Sequence, residues 1–386
     1  MRDSLRRDKI KKDLPANWHE LTRMRKRINK DKRDELYIII LMIYSCKFAY
    51  ISGQNPFFYD IIKKNSGVIY IMKIVFLDAL SVGNVDFKAV EKEGELIKYN
   101  LTSKEEVFER IVDAEVIITN KVYIGKEELK AAPKLKLICV SATGYNNIDI
   151  QAAREAGVVV ANAAGYSTGS VAQHVFAMIL EIYTSLSKYD RAVKEGKWQK
   201  SSIFTMNDYP SFELNGKTLG IIGYGEIGKK VKNIAEAFGM KVIISESRNR
   251  KSEDDFRVPF DTVLKESDII TIHAPLTDST RDMISDREFG VMKKNGVIIN
   301  TARGGIINEK ALYNALKEGK IYGAATDVMV SEPPVNGSPL FELENIVITP
   351  HTAWAATESR QKLIEIVAGN IVKFKSGDMS IDLCKR

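Results

Sequence analysis

Arg303, Asp327, Glu332 and His351 each fall at or just beyond the end of a short apolar run. Arg303 follows IINTA, Asp327 follows IYGAAT, Glu332 comes five residues later, and His351 follows IVITP. A histidine beside a carboxylate is a useful acid–base catalyst, because the negative partner favours the imidazolium and fixes which ring nitrogen faces a substrate. An arginine adds a planar fork for a carboxylate and polarises a neighbouring carbonyl. These three residue types suit hydride transfer to a 2-keto acid, with the histidine giving the proton and the arginine holding the acid. Each residue also has a plainer reading. Arg303 in ARGG can cap a turn, Glu332 in SEPP can be an exposed loop acid, and His351 after Pro350 can bond the backbone. The other histidines narrow the choice. His19 lies in a charged N-terminal stretch, and His174, among apolar neighbours on a helical pattern, reads as a packing histidine. His273 precedes Ala274 and Pro275 at a strand end and can line a cofactor cleft, but no carboxylate in its own loop is placed to orient it. His351 is the best candidate acid.

Such residues need a scaffold that brings a hydride donor to them, and the stretch LGIIGYGEIG from Leu219 to Gly228 supplies its signature. A buried strand runs into Gly223, Gly225 and Gly228. In a GxGxxG turn the first glycine allows the bend, the second lets the backbone approach a pyrophosphate, and the third lets the helix pack on the strand. The N–H groups at the helix start, including those of Glu226 and Ile227, then face the phosphate charge. Ile227, Val231, Ile234, Ala235 and Phe238 recur at helical spacing, Gly239 stops the helix, and Lys241 to Ser245 reads as the next strand. Glu246 ends that strand, where a carboxylate binds ribose hydroxyls and repels a 2'-phosphate, favouring NAD over NADP. Arg248 and Arg250 soften this preference, since either can reach a phosphate.

From Met72 the chain alternates apolar runs (KIVFLD, GELIKYN, EVIITN, LKLICVSA, VVVANA) with helical stretches, the pattern of a parallel sheet flanked by helices. Ser141, Ala142, Thr143 and Gly144 form a small-residue loop just after one of these runs. Its backbone N–H groups can hold a substrate carboxylate, or it can be a simple turn. A long helical pattern begins near Ser167. After Glu246 the runs DIITIH, GVIINTA, IYGAATDV and ENIVITPH complete a doubly wound sheet of about six strands, followed by a terminal helix from about Thr357 to Ser376. The fold class is therefore α/β, with two parallel-sheet units.

An apolar fraction of 45% in 386 residues allows two domains, each with its own core. The net charge of +7 does not point to nucleic acid, because Met1 to Glu35, with 13 basic and 7 acidic residues, carries +6 of it. Residues 1–71 form an atypical extension containing the apolar run LYIIILMIYS, which Lys47 interrupts too soon to span a bilayer comfortably. It reads as a poorly ordered extension, or as translated sequence upstream of a start at Met72, rather than as a membrane anchor. Cys46, Cys139 and Cys384 are odd in number and widely spaced, which argues against a disulfide framework or a zinc site and fits the cytoplasm.

GYGEIG, HAPLT, NTARGG, TDVMVSEPP and TPHTAW, in this order and at these spacings, resemble the D-isomer-specific 2-hydroxyacid dehydrogenases. LDALSVGNVDF, SATGYNNID, GYSTGSVAQHVFAMILE and GKWQKS are most similar to its glycerate dehydrogenase (hydroxypyruvate reductase) branch. The resemblance implies a Rossmann-type cofactor domain (171–354) inserted into a flavodoxin-like substrate domain (72–170 and 355–386). It implies Arg303, Glu332 and His351 as the catalytic set, with Glu332 orienting His351. Asp327 is then expected at the nicotinamide amide, Thr301 and Ala302 along the cofactor, and Ser141 to Gly144 on the substrate carboxylate. It also implies a homodimer through the cofactor domain and reduction of hydroxypyruvate or glyoxylate with NADH. The alternatives are D-lactate or D-3-phosphoglycerate oxidation, or an NADH-sensing co-repressor-like protein without turnover. Glu246 replaces the more usual Asp, the family does not predict residues 1–71, and the chain ends soon after the last family helix, so no serine-feedback tail is expected.

Overall fold

The structure, a computed structural model, describes residues 71–247 and 256–385. The run Leu36–Ser45, Cys46, His19, Arg248 and Arg250 lie outside the described residues, as does the expected extension apart from Ile71. Met72–Arg386 forms one compact unit built on two parallel sheets.

The first sheet comprises β1 (Lys73–Phe76), β2 (Glu95–Lys98), β3 (Val116–Thr119), β4 (Leu137–Val140) and β5 (Val159–Asn162), in the order β2-β1-β3-β4-β5. Its central strands read as unbroken apolar runs because both faces are covered. Successive side chains alternate between two cores. Ile74, Phe76, Val116, Ile118 and Leu137 face one, whereas Val75, Ile117, Ile138 and Val140 face the other with Val107 and Ile111 of the helix Lys104–Ile111. The chain returns to this sheet at its end. Leu363, Ile364, Val367 and Ile371 of the helix Thr357–Lys375 fill the same core as Ile74 and Phe76, and Asn370 Nδ2 donates to the Asn162 carbonyl at 3.0 Å.

The second sheet contains seven strands where about six were expected. They are β6 (Thr218–Ile222), β7 (Lys241–Ser245), β8 (Arg257–Val258), β9 (Ile269–Ile272), β10 (Val297–Asn300), β11 (Gly323–Thr326) and β12 (Ile346–Ile348), ordered β12-β11-β10-β9-β6-β7-β8. The additional strand, β8, is two residues long, too short to carry an alternating pattern. One face packs Leu219, Ile221, Ile269, Val297 and Ile299 against Val175 and Ile179 of the long helix Thr168–Thr184 and Val231 of the helix Glu226–Ala237. The other packs Ile222, Ile270, Ile272 and Ile298 against Leu312 and Leu316 of the helix Glu309–Lys317, whose start Asn308 caps through the Ala311 N–H at 3.0 Å. The long helix stops at Ser185, which adopts φ 51°, and a separate helix, Leu186–Lys194, follows. No helix among the described residues is long and apolar enough to cross a membrane.

Leu363 is fully buried, so Leu363→Ala is expected to destabilise the protein by about 2–5 kcal/mol in urea titrations. A loss below about 1 kcal/mol would mean that the terminal helix is not integral to the first core.

Candidate active site

In parallel sheets with crossover connections, ligands bind beyond the carboxyl ends of the strands, where the strand order switches direction. In the second sheet that point lies between β6 and β9. Gly223, directly after β6, has φ 93°, and a Cβ there would come within 2.5 Å of the His273 backbone after β9. A Cβ on Gly228 would meet the Gly223 carbonyl oxygen at the same distance, so the turn closes only with glycine at both positions. Gly225, by contrast, faces open space. It begins the helix Glu226–Ala237, whose N-terminus no side chain caps. The Glu226 carboxylate turns to Lys229 at 2.9 Å, leaving the backbone N–H groups at the turn. These features fit a dinucleotide pyrophosphate: room at the second glycine, and peptide donors with the positive end of a helix dipole behind it.

Two further observations support that fit. Thr301 Oγ1, just past β10, is buried and has no partner among the described residues, as expected of a hydroxyl beside a cofactor. Glu246 ends β7 half-buried, its backbone N–H donating to the Val258 carbonyl at 2.9 Å. His273 hydrogen-bonds Thr271 Oγ1 at 3.0 Å, and desolvation pulls its pKa down to about 4, so it is neutral at pH 7 and a poor proton donor there.

His351, beyond β12, has its Nδ1 2.6 Å from Glu332 Oε2. The second carboxylate oxygen of Glu332 accepts the Met329 N–H at 2.9 Å. Desolvation alone would raise the Glu332 pKa. The hydrogen bonds from His351 and Met329, and the charges of His351 and Lys121, outweigh it and hold the group below its ordinary value. Because an ionised carboxylate only accepts, Nδ1 carries a proton and Nε2 is the nitrogen left for chemistry. The His351 backbone has φ 55°, in the left-handed region that residues with a Cβ rarely adopt, and its N–H donates to the Asp327 carbonyl at 2.8 Å.

Asn300, at the end of β10, shapes the turn that presents Arg303. Its Oδ1 accepts from the Ala302 N–H at 3.0 Å, and its Nδ2 donates to the Arg303 carbonyl at 2.9 Å. The guanidinium reaches the first sheet's loops: a Cβ on Gly144 would lie 2.8 Å from Arg303 Nη2. In that loop Ser141 Oγ is buried without a partner, and the N–H groups of Thr143 and Gly144 have no acceptor, among the described residues. The structure thus brings together Arg303 and Ser141 to Gly144, expected from sequence to share a substrate, and pairs Glu332 with His351.

Asp327 makes contacts that the sequence reading did not name. It is 1% exposed, and its oxygens accept from Thr349 Oγ1 at 2.6 Å and from the N–H groups of Thr352 and Ala353 at 2.8 Å each. It therefore braces the loop carrying His351. The reason is local: three donors from residues 349–353 converge on a buried charge that must be hydrogen-bonded.

One polar residue escaped the sequence reading, and another was read only as a packing residue. Lys121 follows β3, at the order switch of the first sheet between β1 and β3. The buried Asp78 after β1 holds its loop by accepting the N–H groups of Asn120 at 2.9 Å and Lys121 at 2.7 Å. Much of the Lys121 side chain is exposed. Even so, desolvation of its ammonium and the Arg303 charge lower its pKa against the pull of Glu332 and Asp78, which puts it in electrostatic reach of the site. Its position just after a strand is the signal that would have found it. The other is His174, whose Nε2 lies 3.0 Å from Thr349 Oγ1 and 3.6 Å from Asp327 Oδ1. Its i,i+4 spacing from Ser170 places the two polar side chains on one face of the helix Thr168–Thr184.

Residues 176–353 match the family model described as D-isomer specific 2-hydroxyacid dehydrogenase, NAD binding domain. A hydroxypyruvate reductase of Blautia hydrogenotrophica is 40% identical over 314 residues, covering 79% of this chain and 98% of the relative. A glycerate dehydrogenase of Methylorubrum extorquens is 40% identical over 308 residues, covering 79% and 96%. Among solved structures, a D-lactate dehydrogenase from Aquifex aeolicus, complexed with NAD and lactic acid, aligns with a TM-score of 0.66 and 31% identity over 79% of this chain and 96% of that one. With two parallel sheets, a glycine turn at the switch point, and relatives about 40% identical over nearly their whole length, this chain belongs to the D-isomer-specific 2-hydroxyacid dehydrogenases.

Proposed function

We propose that this enzyme reduces hydroxypyruvate or glyoxylate with NADH, giving D-glycerate or glycolate. The observation that carries this reading is the 2.6 Å contact of His351 Nδ1 with Glu332, in a site where Arg303 meets the Gly144 loop. Bound NADH supplies the hydride that reduces the substrate's carbonyl carbon. The chain does the rest. The N–H groups of Thr143 and Gly144 and the Arg303 fork take the carboxylate, and the guanidinium offsets negative charge growing on the carbonyl oxygen. His351 delivers its Nε2 proton to that oxygen, while Glu332 holds the ring and stabilises its charged form. NADH is preferred over NADPH because the Glu246 carboxylate repels a 2'-phosphate.

Lys121 favours hydroxypyruvate over pyruvate within this chemistry. An ammonium whose charge is felt by Arg303 and Glu332 can donate to an oxygen on the third carbon, which pyruvate lacks. The Blautia hydrogenotrophica relative, named hydroxypyruvate reductase, supports the same substrate. A cytoplasmic setting is in keeping with Cys139 and Cys384, both buried and unpaired as free thiols. A homodimer is supported by the segment before β6, where Trp198, Ile203 and Phe204 are 50, 57 and 90% exposed and form an apolar surface suited to a second copy.

A panel of short 2-keto acids, run with NADH and NADPH in parallel and followed by absorbance of the reduced cofactor, tests the reading. Hydroxypyruvate or glyoxylate with NADH should be fastest, and His351→Ala should cut turnover at least about 1,000-fold while NADH binding persists. Tight NADH binding without turnover of any keto acid would instead mean a sensor. Lys121→Met should lower kcat/KM for hydroxypyruvate about 10-fold or more and leave pyruvate nearly unchanged. Equal losses on both would remove Lys121 from substrate choice. In sedimentation the protein should run at twice its chain mass, and a monomer would refute the dimer.

A further inference from the structure

We propose that His174, together with Thr349, is a positioning residue that holds the His351 loop in its strained, reactive shape. The proposal rests on the reductase reading above and concerns a residue with no direct part in the proton transfer.

The argument begins with proton counting. Thr349 has one hydroxyl proton, and a carboxylate 2.6 Å away can only accept it, so that proton goes to Asp327. The Thr349 oxygen must therefore accept from His174 Nε2, 3.0 Å away, and Nε2 must carry hydrogen. The chain of donors runs from His174 to Thr349 to Asp327.

Asp327 also takes the Thr352 and Ala353 N–H groups, and its carbonyl takes that of His351. Every one of those contacts lies between the β11 end and the loop itself. The link from the Thr349 side chain to the long helix comes from His174. One turn earlier on that helix, Ser170 Oγ donates to the Ala353 carbonyl at 2.6 Å and accepts the Ala356 N–H at 3.3 Å. The i,i+4 pair Ser170 and His174 therefore grips the loop on both sides of His351, whose φ of 55° is unfavourable without such restraint.

If His174 is lost, Thr349 loses its donor and the buried Asp327 carboxylate loses an imidazole 3.6 Å away. The loop can then relax, moving His351 Nε2 off the line to the carbonyl oxygen. Substrate affinity is set elsewhere, by Arg303 and the Thr143 and Gly144 N–H groups, so the defect should fall on kcat. A displacement of about 1 Å can cost about 100-fold in rate.

The test compares His174→Leu, His174→Gln and Thr349→Val in full-length protein with NADH and the best keto acid from the panel. His174→Leu should lower kcat about 10- to 100-fold, with KM and NADH affinity within about twofold. His174→Gln, whose amide NH2 can still donate to Thr349, should recover most of that loss. Thr349→Val, close to isosteric, should reproduce the Leu defect, and the Leu/Val double variant should be no worse than either single one. An unchanged kcat in His174→Leu overturns the proposal, and so does an equal fall in the Gln and Leu variants. If His174→Leu does not fold, Thr349→Val decides alone: wild-type kcat overturns the proposal, and a kcat-only defect supports it. Absence of turnover in the wild type would sink the reductase reading instead, so the two failures are distinguishable.

Discussion

A parallel strand cannot be joined to its neighbour by a tight hairpin, and this constraint organises the molecule. Each strand must be followed by a crossover that returns to the amino end of the sheet, so the loops leaving the carboxyl ends gather at one end of each sheet. In the second sheet those loops carry Gly223, His273, Arg303, Asp327 and His351, drawn from five strands. In the first they carry Asp78, Lys121 and Ser141 to Gly144. The near approach of Gly144 to Arg303 joins the two sets of loops. Chemistry at that junction follows from topology before any side chain is considered.

Within that frame, two carboxylates do opposite work because their surroundings differ. Glu332 is exposed and spends one oxygen on a backbone N–H and the other on His351, so its charge acts on a ring that can exchange protons. Asp327 is almost wholly buried and surrounded by donors from the loop that follows β12, so its charge acts on backbone geometry. A buried charge must be satisfied by hydrogen bonds, and the donors available decide whether it serves chemistry or architecture. Asp78 repeats the architectural role in the first sheet, where it holds the turn bearing Lys121 despite a burial that raises its pKa.

Much of this was legible in the chain. Glycines at 223, 225 and 228 between a strand-like run and a helical one define a turn that few other folds use, and apolar runs of four or five residues mark strands covered on both faces. His351 could be chosen because the other three histidines had poorer settings. These signals are local, arising within about 15 residues, where backbone sterics and hydrophobic periodicity act. The two-residue strand β8 left no such pattern.

What the amino-acid sequence determined by itself was the α/β alternation, the dinucleotide turn and the kinds of residue present at strand ends. Tertiary structure alone decided that Asp327 is bonded by the loop after β12, that Asp78 holds the turn bearing Lys121, and that His174 reaches Thr349 from 175 positions away. The physical reason is that hydrogen bonds depend on distances of a few tenths of an ångström. Those distances are set by how separate crossovers pack, and residue spacing along one strand or helix carries no record of them.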